Sequence, residues 1–398
     1  MNWTRLSLFF CLVGSLFAQD KLVVWHAYRG AERIAFEKLV DQYNQTQPAI
    51  TVSTLAVPYD ALADKITAAV PRGKGPDVFI FAQDRLGGWV ESGQTVEPLD
   101  FFLEDETRES FLPVTLQAMT YKDSVYGLPF NYKMIVMIYN KKLIQKPPTT
   151  STELVTVAQQ LTKPDAGQFG LAYSFNDFFY HAALMNAFGG GVFSQSKPSL
   201  NSKPNIEALN YLMKWFRQDK ILPEDPSVAL ITSLFNEGKA AMVFSGPWFL
   251  GEIESGIDYG LAPLPYIEEA KSPMKPWVTV EGMFITAPSK HKEEAYAFIQ
   301  YATSKTGAGL MAREAFQLPA NAAIYQEKDI AENPTLSVFR KQLDASVAMP
   351  NLAEMTMMWS PATTAMNTLC RGTDTPQEAM DAAQAKLVEA IGKLRKAQ

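Results

Sequence analysis

The chain is poor in the side chains that most often do chemistry. Of its 398 residues only 2 are cysteine and 3 histidine. Cys11 lies in an apolar N-terminal stretch, so removal of that stretch would leave Cys370 as the single thiol and no possible intramolecular disulfide. His26, His181 and His291 are far apart, and no pair of histidines or cysteines has the spacing of metal ligands. A glycine-rich loop ending in Lys-Ser/Thr is missing, which excludes the usual phosphate cradle of nucleotide hydrolysis. The Gly-x-Ser-x-Gly elbow of serine hydrolases is missing as well. Cations are outnumbered: 36 Lys and Arg stand against 42 Asp and Glu, for a net charge of −6 and an isoelectric point near 5.3. With no basic cluster either, nucleic acid is not an expected partner. No metal, cofactor or catalytic residue is expected.

No apolar run reaches the roughly 20 residues that span a bilayer. Arg5 followed by the apolar run Leu6 to Phe17, with Ala18 before Gln19, reads instead as a secretory signal peptide, residues 1–18. Leu-Phe-Phe-Cys within it is not a lipoprotein box, so a free, soluble, periplasmic protein is expected. Loss of Arg5 with the leader makes the remaining chain one unit more negative. At 47% hydrophobic and 20% charged residues, the chain is long enough for two globular domains.

What is present is an alternation of strands and helices. Lys21–Trp25, Ile50–Val57 and Val78–Ala82 read as strands, with helical faces over Ala31–Tyr43 and Tyr59–Val70 between them. Successive βα units predict a parallel, doubly wound α/β sheet. Further strands are expected at Met134–Tyr139, Phe169–Ser174, Ala240–Phe244, Ile257–Leu264 and Trp277–Ala287. Glu281-Gly282 in the last would suit a crossing between domains. Helices are expected at Ser151–Leu161, Asn205–Gln218, Val228–Glu237 and Glu293–Ser304, with Gly307 as a stop, and throughout from Pro334 onward. Thr375-Pro-Gln-Glu378 has the form of a capping box opening the last helix.

The stretch richest in chemistry runs from Gly75 to Trp89, Gly-Lys-Gly-Pro-Asp-Val-Phe-Ile-Phe-Ala-Gln-Asp-Arg-Leu-Gly-Gly-Trp. An apolar strand there ends in Gln83, Asp84 and Arg85, and ligands of open α/β sheets bind beyond the carboxyl ends of strands. An acid beside a base can accept from and donate to one polar ligand. Asp is also a favoured helix N-cap, which would account for Asp84 without any ligand.

This stretch closely resembles the maltose/maltodextrin-binding proteins of bacterial ABC importers. So do Phe235-Asn-Glu-Gly-Lys-Ala-Ala-Met-Val-Phe-Ser-Gly-Pro-Trp248 and Met349-Pro-Asn-Leu-Ala-Glu-Met-Thr-Met-Met-Trp359, and the similarity runs from about Lys21 to the last helix. The resemblance implies a two-lobed periplasmic-binding-protein fold, its lobes built from discontinuous segments around a cleft at the hinge. Sugar would bind there, the lobes would close, and the closed form, a monomer, would dock on the membrane permease. It implies stacking by Trp248 and Trp359 and hydroxyl binding by Asp84 and Arg85; aromatic faces suit a pyranose, and charged groups suit its hydroxyls.

Several positions depart from the family. Phe81 stands for a stacking Trp, Lys133 for a hydroxyl-accepting Glu, Asp177 for a Glu, Phe179 for a Tyr and Thr363 for an Arg. The loop Trp25–Glu32 is short, leaving Arg29 and Glu32 as replacements for a family Lys. A buried polar group without its partner costs about 1–3 kcal/mol, so these changes can re-rank sugars. Maltose, maltodextrin, trehalose and other α-glucosides all stay open as ligands. The expected lobes are 19–131 with 283–334, and 132–282 with 335–398. A secreted glycoside-acting enzyme is the alternative; Asp84, Asp177 and Glu281 could supply carboxylates for it, set about 5–9 Å apart.

Overall fold

The computed structural model describes residues 21–397, so the expected leader lies outside the described residues. The chain opens with β1 (Lys21–His26), β2 (Thr51–Ala56) and β3 (Val78–Ala82), and helices Gly30–Thr46 and Tyr59–Ala69 cross between them. β1 pairs in parallel with both β2 and β3, as successive βα units require. All five residues of β3 are buried, which is why it reads as a continuous apolar run.

Next come β4 (Gly127–Lys133) and β5 (Val136–Asn140), separated only by Met134-Ile135. β6 (Phe169–Ala172), β7 (Ala240–Ser245), β8 (Tyr259–Ala262) and β9 (Trp277–Ile285) complete the main strands. Two sheets result. The first is seven-stranded, in the order Leu318–Pro319, β4, β9, β3, β1, β2, with Val347–Ala348 added on β9; the second runs β8, β5, β7, β6. Met134-Ile135 therefore carries the chain from one sheet to the other. β9 pairs with β4 from Thr279 onward, after Trp277 and Val278 pair with Val347–Ala348.

The sheets are mixed rather than wholly parallel. β9 runs antiparallel to both β3 and β4, and β5 runs antiparallel to β7 and β8. The register of β9 against β4 shifts between Glu281 and Gly282. A Cβ on Gly282 would lie 2.2 Å from the Met119 sulfur, so a side chain at this crowded kink would have to push that thioether aside.

Pro129 of β4 sits opposite Gly282, at the irregularity where a missing N–H is tolerated. Two local expectations need correction. Gly307 does not end a helix. It lies inside Lys305–Ala315, donating its N–H to the Ser304 cap, and a Cβ there would meet the Ala302 carbonyl at 2.1 Å. The region after Pro334 is not helical throughout, because Val347–Ala348 pairs with β9 and a 3₁₀ turn occupies Ala353–Met357. The capping box at Thr375 forms: its N–H and hydroxyl donate to Glu378 Oε2, and Glu378 N–H donates back to Thr375 Oγ1. No described helix is long and apolar enough to cross a membrane.

Candidate functional site

At the end of β3 the chain turns through a 3₁₀ turn, Gln83–Arg85. Gln83 is fully buried and clamps this turn: Nε2 donates to the carbonyls of Val278 (3.1 Å) and Met349 (3.3 Å), and Oε1 accepts from Val280 N–H (2.8 Å). Gly87 follows, donating to the Asn351 carbonyl at 2.8 Å. A Cβ there would lie 2.4 Å from the Ala353 nitrogen, so the close approach requires glycine. These contacts aim Asp84 and Arg85. Arg85 is exposed, while Asp84 is half-buried with Oδ1 lacking any hydrogen-bond partner. Asp84 caps no helix; the residue before the helix Leu86–Glu91 is Arg85, without a side-chain cap bond. Burial pushes the Asp84 carboxyl up to about 6, with Arg85 pulling the other way.

Beside this turn, a cavity of about 120 Å³ brings together four of the expected residues, Arg29, Glu32, Phe81 and Lys133, along with Tyr28, Tyr59 and Glu281. Arg29 precedes the first helix and Glu32 sits in its first turn, with Oε1 accepting from Gln317 Nε2 at 3.2 Å. Lys133 donates to Glu281 Oε1 at 2.9 Å. Glu281 Oε2 accepts from Asn131 Nδ2 (2.8 Å) and from the Tyr28 hydroxyl (3.2 Å). Burial alone would raise the Glu281 carboxyl, but Lys133 with the Asn131 and Tyr28 donors holds it below its ordinary value. The resemblance implies an acceptor at position 133; Lys133 is a donor instead, and Glu281 on the neighbouring strand places a carboxylate beside it.

The second set sits on the helices Phe178–Ala187, Pro247–Leu250 and Trp359–Arg371, together with Trp277 at the start of β9. Asp177 caps the helix Phe178–Ala187, accepting from Phe179 N–H at 2.9 Å. Phe179 is half-buried, its ring centroid 6.1 Å from that of Trp248 and 6.5 Å from that of Trp277. Trp277 is buried and meets Trp359 edge-on at 6.0 Å. Trp248 stays 42% exposed in a short helix begun by Pro247. Its indole folds back over Gly246, where a Cβ would stand 2.3 Å from the ring. Thr363 is exposed on the helix Trp359–Arg371.

Among the described residues, ring contacts and hydrogen bonds run within each of these two sets and not between them. Charged and hydroxyl groups gather around the cavity, and the rings of Phe179, Trp248, Trp277 and Trp359 form a separate aromatic set. Reasoning from sequence did not single out Tyr59 or Tyr28, and took Glu281 both as a crossing between domains and as a carboxylate of the alternative enzyme reading. The only local signals were an aromatic opening a helix and an acid inside an apolar strand. Among the described residues no group of three or more His, Cys, Asp or Glu is placed to hold a metal ion.

Two mixed sheets joined by short crossings, with a divided polar and aromatic site, define the two-lobed binding-protein class. Residues 30–309 match the family described as bacterial extracellular solute-binding protein, and the chain belongs to that family. It is 30% identical over 348 residues to the maltotriose-binding protein of Pyrococcus abyssi (strain GE5 / Orsay), covering 85% of this chain and 75% of that protein. To the galactooligosaccharide-binding protein of Bacillus subtilis (strain 168) it is 26% identical over 384 residues, 92% of this chain and 88% of that one. The crystal structure of a cyclo/maltodextrin-binding protein complexed with maltotetraose superposes with a TM-score of 0.87 at 30% identity, covering 95% of this chain and 98% of the other.

Proposed function

We propose that this protein captures a maltodextrin-type oligosaccharide between its lobes and delivers it to the permease of an ABC importer, without transforming it. The observation that carries this reading is Trp248, an indole held in solvent beside Phe179, where an unliganded globular protein gains nothing by exposing it. The relatives that bind maltotriose, maltotetraose or galactooligosaccharide support a sugar as the ligand class. In this reading Trp248, Trp359 and Phe179 stack on pyranose faces. Asp84, Arg85, Asp177, Lys133, Arg29 and Glu32 serve the hydroxyls, and Phe81 backs the first-lobe wall. The lobes are 19–131 with 283–334, and 132–282 with 335–398, the second crossing falling within β9. The protein works as a periplasmic monomer after loss of its leader.

Calorimetric titration with maltose, maltotriose, maltotetraose, trehalose and a galactooligosaccharide tests the reading. Micromolar or tighter binding of one of them is expected, and silence on all five would overturn it. Sustained release of reducing ends from labelled oligosaccharide would overturn the non-enzymatic part.

The Asp84 carboxyl gives this binding a pH signature. Sugar hydroxyls donate to the ionised form, so binding lowers its affinity for a proton and releases one wherever the free carboxyl is still protonated. Affinity is therefore expected to rise with pH up to about 6 and level off above it. Titrations at pH 5 and pH 7.5 in buffers of different ionisation enthalpy measure the proton release. Asp84→Asn should bind more weakly and lose the dependence; a variant that keeps it would place the titrating group elsewhere.

A further inference from the structure

On the first lobe, the position of the family's stacking tryptophan is taken by Phe81, and Phe81 is only 5% exposed. Its face is covered by Tyr59, whose ring lies parallel to it, with centroids 5.0 Å apart and planes inclined by 16°. An edge of Phe81 meets Trp89 at 5.7 Å. Tyr59 itself is 50% exposed and lines the same cavity as Lys133 and Glu281. We infer that Tyr59 is a ligand-contacting, specificity-determining residue: its outer face receives a pyranose ring of the bound oligosaccharide, with Phe81 as its fixed backing.

Three features support this. The first is the backbone: Tyr59 opens its helix directly after Pro58, whose carbonyl accepts from Ala61 and Leu62 N–H, both at 3.0 Å. The ring is thus mounted on a fixed helix start rather than a loose loop. The second is the stack. A parallel aromatic beneath it removes one face of Tyr59 from water and leaves the other open, the arrangement of a platform rather than a core side chain. The third is the surroundings. Partial burial and then the carboxylates of Asp84 and Glu281 push the Tyr59 hydroxyl up to about 12, so it remains a neutral donor among charged groups that suit sugar hydroxyls. Phe81 offers no polar edge; Tyr59 restores one.

The inference rests on the oligosaccharide reading above, and the experiment separates the two. Wild type, Tyr59→Ala, Tyr59→Phe, Tyr59→Leu and Trp248→Ala are titrated with maltotriose and maltotetraose, and each is melted without ligand. Tyr59→Ala is expected to bind about tenfold more weakly, as loss of an aromatic stacking face predicts, and Tyr59→Phe to stay within about threefold of wild type. If Tyr59→Ala also melts early because Phe81 is uncovered, Tyr59→Leu decides, since leucine covers Phe81 without offering a flat face. Weak binding by a stable Tyr59→Leu supports the inference. Wild-type affinity in Tyr59→Leu, or in Tyr59→Ala with Trp248→Ala still impaired, shows that Tyr59 only shields Phe81 and overturns it. A wild type silent on both sugars overturns the oligosaccharide reading itself, and this inference with it.

Discussion

Trp248→Ala is expected to weaken maltotriose binding by roughly thirtyfold or more, while the ligand-free protein melts as before. Truncation of a central aromatic contact typically costs about 2 kcal/mol or more, and 1.4 kcal/mol is about tenfold in affinity. The fold should not register the change, because the indole is 42% exposed and its nearest ring, Phe179, is itself held by Trp277. Calorimetry and a thermal melt on the same preparation test both halves. Full affinity in the variant would mean that Trp248 packs against Gly246 and Phe179 and does nothing more. A large loss of melting temperature would mean that the second-lobe aromatic set is a core and not a surface for ligand.

Glu281→Ala should produce the largest change in stability. It removes the partner of Lys133 and the acceptor used by Asn131 and Tyr28. Breaking a buried ion pair by deleting one member typically costs about 3–5 kcal/mol. The Lys133 side chain is 33% exposed and can turn its ammonium toward water, so about 2–3 kcal/mol is expected here, read from the denaturant midpoint. Adding Lys133→Met should recover a large part of the loss, because the stranded charge then disappears. Strictly additive effects would show that the two groups are not coupled. The sign with pH follows from the carboxyl being held low. Its contribution is present above the unfolded value of about 4.3 and is lost as the pH falls through the lower folded value. Glu281→Ala should therefore flatten the stability profile on the acid side.

The sequence was most legible where one residue's neighbours along the chain settle its conformation. Alternation from Lys21 to Ala82 gave the parallel units, Thr375 to Glu378 gave the cap, and the apolar run ending at Gln83 located the turn that carries Asp84 and Arg85. It was least legible where a partner lies far away. Gly307 reads as a stop until the Ala302 carbonyl fills the place of its Cβ. Lys133 reads as a charge reversal until Glu281 comes to rest 2.9 Å away. Tyr59 reads as the start of a helix until Phe81 is seen beneath it. Each of these depends on a contact between segments remote in sequence, which periodicity and capping rules do not reach.

β9 has a consequence for how the ligand is measured. Trp277, the floor of the aromatic set, and Glu281, the acid of the polar cavity, lie four positions apart on this one strand. At ordinary strand rise that is on the order of 13 Å, a covalent distance that cannot stretch. If both sets contact sugar as proposed, two modest half-sites held at a set span would act as a bivalent receptor, the second meeting a captured sugar at high effective concentration. Oligosaccharide length would then be gauged by a ruler of backbone, with the side chains at either end recognising the sugar rings that reach them.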